Sequence, residues 1–513
     1  MNKLKNLIEK ALAPTIVVTL IFFLNYYFFG MDNTMIAPFA TLSFLRFRNI
    51  SNHYECMLKT FCIYIVMTLL AYFALMSLPL CIAVNAVALF WLAYWLIDEY
   101  NPTNYFPAGM ALIFFQIAPA RTPALLLTRI EALCASFLII FAFIIILSLR
   151  KSAKNPLYDY IRDGLANCRQ QLAAFEIHDN TKLEILHQEL CAVNKLISDE
   201  IYSYNRASIR LAAKVNWYCR YVALFQVINF FTLGYLKDKD LEEMKQLLER
   251  FCSQFENGAP SPDYKRLNFR NNKPDIQAFR FRFALRLTLI VTPCLVFGFV
   301  TDFENRYWLV ISVFFMMIPV YENTRQRVRQ RFFGTCIGIV VCFFLFSIFR
   351  QFPGRVALMT LANFMIYGSS GYGAAVVYIT CSALAIQTIH AAVGTILLER
   401  LLYTGLGALI ALAANKLIFP IRTRKEMFIL IRRLDDIRNQ MKALTVEKYP
   451  DDNERRYQKD QLLIKSYLLM KRLQTYHDSL PEEEQMDDTF LDYEKKHFAF
   501  LSGFLKEKLL DAV

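Results

Sequence analysis

The sequence predicts an all-α polytopic membrane protein: two parallel repeats of about six transmembrane helices, each followed by a cytoplasmic helical segment. Three observations predict it. First, 56% of the 513 residues are hydrophobic, 15% are aromatic and only 20% are charged, against roughly 45–50% apolar residues in soluble domains. Second, mostly apolar blocks (residues 1–150 and 281–420) alternate with polar, helix-patterned blocks (151–280 and 421–513). Third, landmarks of the first apolar block recur in order in the second.

The first block holds six candidate spans, at about 12–29, 34–46, 57–77, 79–97, 105–119 and 124–149. The second holds six more, at about 283–300, 306–320, 332–349, 355–367, 372–392 and 396–419. A full crossing takes about 20 apolar residues, so spans two and eight are expected to be tilted, broken or partly inserted. No small-residue cleavage site follows the N-terminal apolar run, which reads as a retained first span rather than a signal peptide. In the polar blocks, stretches such as 181–204, 240–255, 426–444 and 457–476 carry apolar residues at three-and-four spacing, the period of an amphipathic helix. The run 221–236 is short for a span and reads as a buried helix of the soluble part.

Charge sets the expected orientation. The chain carries 57 Lys and Arg against 44 Asp and Glu, a net +13, and basic loops are held inside during insertion. The basic stretches 46–59, 280–286, 322–331 and 421–425 then lie inside, and the acidic turns 30–34 and 301–305 outside. That places both termini and both polar blocks in the cytoplasm. "RQFPGR" (350–355), which lands outside, and "DEYNP" (98–102), inside, fit this scheme less well. A nucleic-acid partner would need a soluble basic face, and none is read here. The series Arg325, Arg327, Arg329 and Arg331 is expected in a cytoplasmic loop.

At an offset of 272, Asn33 falls on Asn305, Lys59 on Arg331, Phe61 on Phe333 and Ile65 on Ile337; at 271, Arg129 falls on Arg400. An even number of spans gives both halves one orientation, hence a pseudo-two-fold axis along the membrane normal.

Catalytic signatures are missing. No GxxxxGK[ST], HExxH, GxSxG or GxGxxG occurs, the six histidines have no ligand spacing, and the 12 cysteines form no CxxC pair. No enzyme, metal or cofactor is expected. Gly334 and Gly338 form a GxxxG in an apolar helix, and Gly405 and Gly407 sit in a second small-residue stretch; both read as helix-packing positions. Ionisable residues within spans are costly and mark candidate sites. Arg129 with Glu131, and Arg400 with Glu399, start the sixth and twelfth spans. Either they bind an anion and pass a proton, with His390 nearby, or they snorkel to the interface. Tyr307 and Trp308 read as an interfacial aromatic pair or as part of an aromatic pocket.

The segment "RYWLVISVFFMMIPVYENTRQRVRQRFFGTCIGIVVCFFL" (306–345) resembles the signature of the fusaric-acid-resistance superfamily of aromatic acid exporters, through Tyr307, Trp308, Pro319, Thr324, Arg331, Gly334, Thr335 and Gly338. "ERLLYTGLGALIALAANKLIFP" (399–420) resembles the family's last span, whereas the first half lacks the Gly-Thr after Lys59. The resemblance implies a cytoplasmic-membrane exporter, similar to p-hydroxybenzoate efflux pump subunits, moving aromatic carboxylates or related organic anions with the proton gradient. It also implies a periplasmic membrane-fusion partner. Arg129, Arg400, Tyr307, Trp308, Arg325 and Arg331 would attract and stack the anion, and Glu131, Glu399 and His390 would serve proton coupling. The alternatives are a passive organic-anion channel of the same fold, or a membrane scaffold whose helical cytoplasmic parts bind a partner protein. A homodimer through the cytoplasmic helices is expected, with membrane lipids as surroundings.

Overall fold

The computed structural model describes residues 2–48, 54–97, 100–150, 156–207, 209–235, 238–258, 265–269, 279–303, 305–319, 322–369, 371–387, 393–418, 423–446, 452–478, 480 and 488–508. Every regular element among them is helical. The chain packs as two units. Unit 1 takes residues 1–49, 57–150 and 272–421, and unit 2 takes 50–56, 151–271 and 422–513.

Unit 1 contains α1 (Asn2–Leu24), α2 (Ile36–Phe47), α3 (Tyr54–Ala74), α4 (Leu78–Leu96), α5 (Phe106–Ile117) and α6 (Pro123–Arg150) from the first apolar block. Unit 2 contains α7 (Pro156–Glu176), α8 (Asn180–Ala207), α9 (Ile209–Val215), α10 (Cys219–Phe230) and α11 (Asp238–Asn257). The second apolar block returns to unit 1 as α12 (Phe279–Val300), α13 (Tyr307–Met316), α14 (Glu322–Ile348), α15 (Phe352–Gly368), α16 (Tyr372–Gln387) and α17 (Val393–Leu417). Unit 2 closes with α18 (Thr423–Val446), α19 (Asp452–Asp478) and α20 (Asp488–Lys508).

Among the described residues, seven stretches are long and apolar enough to cross a membrane: Leu7–Phe29, Cys56–Ala74, Leu78–Leu96, Pro123–Leu147, Phe279–Val300, Arg325–Ile348 and Gly394–Leu417. The chain is a multi-pass helical membrane protein. Of the other five helices of unit 1, α15 and α16 have 17 and 16 residues and three are shorter still: α2 and α5 have 12 and α13 has 10. At ~1.5 Å per residue they reach about 15–18 Å, half the hydrocarbon thickness. Burial explains them. Eight residues of the ten in α13 are buried, and so are most of those in α2 and α5. The long helices instead present outward apolar rows, such as Leu398, Leu402, Leu406 and Leu409 of α17. The three shortest helices are mostly buried, as is the long α12, while the other long helices are buried over only about a third of their length.

A helix that stops inside hydrocarbon leaves its last carbonyls without partners, and each costs free energy unless bonded. Side chains take them here. Arg129 Nη1 donates to the Phe115 carbonyl at the end of α5, 3.2 Å away. At the end of α13, Tyr105 OH donates to the Met317 carbonyl at 2.8 Å, and Arg327 Nε donates to the Phe315 carbonyl at 2.9 Å.

α14 and α16 run alongside each other through glycine contacts. A β-carbon on Gly334 would stand 2.9 Å from Val376, and one on Gly338 would stand 2.8 Å from Thr380 and 3.0 Å from the Val377 carbonyl. Gly407 meets Ser312 at 2.8 Å in the same sense, whereas Gly405 has only Phe332 at 3.8 Å. Gly338→Val is therefore expected to cost about 1–3 kcal/mol through overpacking against backbone. Gly405→Ala should stay within ~0.5 kcal/mol of wild type. Thermal unfolding in detergent checks both.

In unit 2, α10 is buried along almost its whole length and packs against α7, α8, α11, α19 and α20. His497 of α20 is buried beside Ser466, whose hydroxyl lies 3.2 Å from Nε2. Burial, and then the positive charge of Arg438, push its imidazolium down to about 4. A group charged in the unfolded chain below ~6.5 but neutral in the fold to about 4 adds stability above that range. Acidification through pH 6.5 to 4 removes up to ~3 kcal/mol of it. Glu494, held above its usual range by burial, acts in the opposite direction. His497→Phe should flatten the unfolding midpoint against pH over that window.

Candidate anion-binding site

The arginine series is not a loop: α14 begins at Glu322 and carries it on its first turns. Successive helical residues turn ~100°, so alternate arginines split onto two faces and i, i+4 partners share one. Arg325 and Arg329 are exposed on one face. Arg327 and Arg331 turn into the protein on the other. The Arg327 guanidinium lies 4.1 Å from the Tyr372 ring centre and 5.3 Å from that of Phe106. Arg331 is 1% exposed, lies 5.0 Å from the Phe315 ring centre, and reaches Tyr372 OH at 3.5 Å.

Arg400, on α17, stands beyond them, within electrostatic range of Arg331, Tyr307 and Tyr372. It is 1% exposed, and its guanidinium sits 3.6 Å from the Trp308 ring centre. Its Nε and Nη1 have no hydrogen-bond partner. The same is true of Arg331 Nε, Trp308 Nε1, Ser312 Oγ and Thr335 Oγ1. Residues 308 and 312, and 331 and 335, are one turn apart on α13 and α14, and both helices pack on α17. Arginine and indole nitrogens only donate, and hydroxyls can donate. Among the described residues, unit 1 buries Arg129, Arg280, Arg286, Arg331, Arg355 and Arg400 and no carboxylate. An unpaired buried donor is costly. A buried guanidinium with two unbonded nitrogens, on a helix packed by α13 and α14 that carry further unbonded donors, matches an acceptor-rich, negatively charged ligand.

A second arrangement closes one side. Glu399 accepts from Asn305 Nδ2 at 2.5 Å. Asn305 Oδ1 accepts from Tyr307 OH at 3.1 Å and from Gln387 Nε2 at 2.8 Å, and Gln387 also bonds Tyr307 OH. Asn305 holds φ 52, a left-handed backbone that Asn tolerates better than most residues. Beyond lies a cavity of about 690 Å³ between α3, α4 and α5 on one side and α12 and α13 on the other, with Arg121, Asp302, Asn305, Arg306 and Tyr307 on its wall. The Tyr307 ring is 5.0 Å from that of Trp308, so one aromatic pair separates cavity from Arg400.

The sequence-derived residues distribute unevenly. Arg331, Arg400, Tyr307 and Trp308 come together, with Glu399 at the latch. Arg325 faces outward. Arg129 lies elsewhere: its Nε bonds Asn33 at 3.0 Å and it lies 4.8 Å from the Phe115 ring centre. Glu131, two residues on, is exposed away from it. His390 lies outside the described residues. Sequence reading gave no site role to Arg327, Asn305 and Thr335, which it named only as part of a loop, a repeat landmark and a signature position, and it did not single out Tyr372, Gln387 and Ser312. The i, i+4 pairs 308/312, 327/331 and 331/335 carried that signal.

The family comparison falls on the same region. Residues 293–414, which run from α12 to α17, match the family described as fusaric acid resistance protein-like. The resemblance read at 306–345 is borne out there. The chain is 30% identical over 143 residues to an uncharacterized protein of Haemophilus influenzae, covering 27% of this chain and 20% of that one. It is 27% identical over 146 residues to inner membrane protein YccS of Escherichia coli, covering 27% and 20%. A Synechocystis protein is 30% identical over 149 residues, covering 28% and 19%. The chain thus spans about a fifth of the length of these curated relatives. No solved structure matches it.

Proposed function

We propose that this protein is a transporter of the cytoplasmic membrane that moves organic anions, aromatic carboxylates foremost, outward past Arg400. The observation that carries the reading is a fully buried guanidinium stacked on Trp308, with its Nε and Nη1 unbonded and, among the described residues, no buried acid in unit 1 to neutralise it. A carboxylate would accept from Arg400 Nε and Nη1, and an aromatic body would stack among Trp308, Tyr307 and Phe315. Arg327 and Arg331 would form the cationic approach from the far end of α14. The matched family and the similarity to an inner membrane protein of Escherichia coli support the membrane assignment.

The halves would be parallel repeats, with both termini cytoplasmic. Helix packing supports the repeat: α1 packs on α15 and α12 on α4, and α2 packs on α6 as α13 does on α17. Glu399 is the carboxylate placed to couple protons, because it faces the cavity-side latch. The rival reading, a passive anion channel, is favoured by the lack of any buried carboxylate among the described residues of unit 1.

Efflux of a preloaded hydroxybenzoate from cells tests these together, with a protonophore at clamped voltage and with Glu399→Gln. Loss of protein-dependent efflux in both supports coupled export, and survival in both supports the channel. No efflux across a panel of organic anions would sink the proposal and leave a scaffold. Asn305→Ala, which frees Glu399, Tyr307 and Gln387 at once, is expected to raise the rate of anion leak several-fold, read as flux without a gradient of protons.

A further inference from the structure

The outward face of α14 is not used by the anion site, and it is not uniformly apolar. Arg325 and Arg329 are exposed there. The same row continues along the helix as Phe333, Ile337, Val340 and Phe344, each more than half exposed. At ~100° per residue these six positions fall within a sector of about 120°, one broad face of the helix. Two guanidiniums therefore stand at the end of a lipid-facing apolar row. No ion pair or hydrogen bond joins either to another described residue. The neighbouring α17, which packs against α14, has the same composition: its apolar row Leu398, Leu402, Leu406, Leu409 and Leu412 leads to exposed Lys416.

We propose that Arg325 and Arg329, with Lys416, bind the phosphate headgroup of an anionic phospholipid whose acyl chains lie along the Phe333–Phe344 stripe. The charge pattern and its continuity with an apolar surface argue for this occupant. A soluble anion would have no use for the stripe, and a neutral lipid none for the cations. Arginine suits the task because its planar fork donates two hydrogen bonds to one phosphate. The proposal stands whether or not Arg400 binds substrate, since Arg327 and Arg331 face the other way.

The test uses the full-length protein in nanodiscs of phosphatidylcholine alone or with phosphatidylglycerol, with bound lipid counted by native mass spectrometry. Wild type is expected to retain phosphatidylglycerol selectively. Arg325→Gln/Arg329→Gln should weaken that retention roughly thirtyfold, the worth of two cations at an anionic surface. Arg325→Lys/Arg329→Lys should retain part of it and confirm folding. Inorganic phosphate in phosphatidylcholine discs should neither bind nor compete. Unchanged phosphatidylglycerol retention in the glutamine pair, or equal loss in an Arg327→Gln control, overturns the proposal, as does full competition by inorganic phosphate.

Discussion

Arg400→Met is expected to abolish anion flux and to make the resting protein more stable. Arg400 is buried with two nitrogens unbonded, and among the described residues no carboxylate is buried near it. An uncompensated charge of that kind carries a desolvation penalty of several kcal/mol. The stacking on Trp308 offsets at most ~2 kcal/mol. Met has a similar length and no charge, so the balance favours the variant by about 1–3 kcal/mol. For the anion the sign reverses. Two charge-assisted hydrogen bonds at roughly 1.5–3 kcal/mol each are lost, which is at least about a hundredfold in binding. Thermal unfolding and efflux on the same preparation read both effects. A variant that transports normally removes Arg400 from the pathway. A variant that loses transport and also melts earlier assigns it a merely structural role. The opposed signs also follow the general pattern in which a binding residue is held at a cost to the fold.

How much of this was legible in the sequence depends on which physics was at stake. Apolar blocks and helical periodicity are local, so the order of membrane helices could be read from them. The short helices α2, α5 and α13 were visible as short apolar runs, but their burial depends on packing, which no local pattern records. The arginine series was misread as a loop because four cations in seven residues suggest solvent. The structure resolves the conflict by helical phase, turning two inward and two outward. Trp308 and Arg400 were each singled out, yet their stacking joins residues 92 positions apart. Asn305 was seen only as a repeat landmark. Its function as the hub of Glu399, Tyr307 and Gln387 comes from a left-handed backbone position that sequence spacing does not encode.

Arg129→Met is expected to behave in the opposite way to its counterpart at offset 271, and to destabilise the protein by about 3–5 kcal/mol. The two arginines looked equivalent in the sequence, but their partners differ. Arg129 spends its donors on the fold: Nε on Asn33 at 3.0 Å and Nη1 on the Phe115 carbonyl at 3.2 Å. The second bond satisfies the final turn of α5, a helix of 12 residues that ends within the apolar unit. Methionine would leave that carbonyl and the Asn33 oxygen buried without donors, at ~1–3 kcal/mol each, and would lose the stacking on Phe115. Arg129→Lys keeps a donor and should recover part of the loss. The measurement is the unfolding midpoint of each variant, beside efflux per folded molecule. A large fall in midpoint with near-normal efflux in the surviving fraction assigns Arg129 to the architecture. An unchanged midpoint with lost efflux would instead give both halves a functional arginine and make the pathway symmetric, which the unequal bonding of Arg129 and Arg400 argues against.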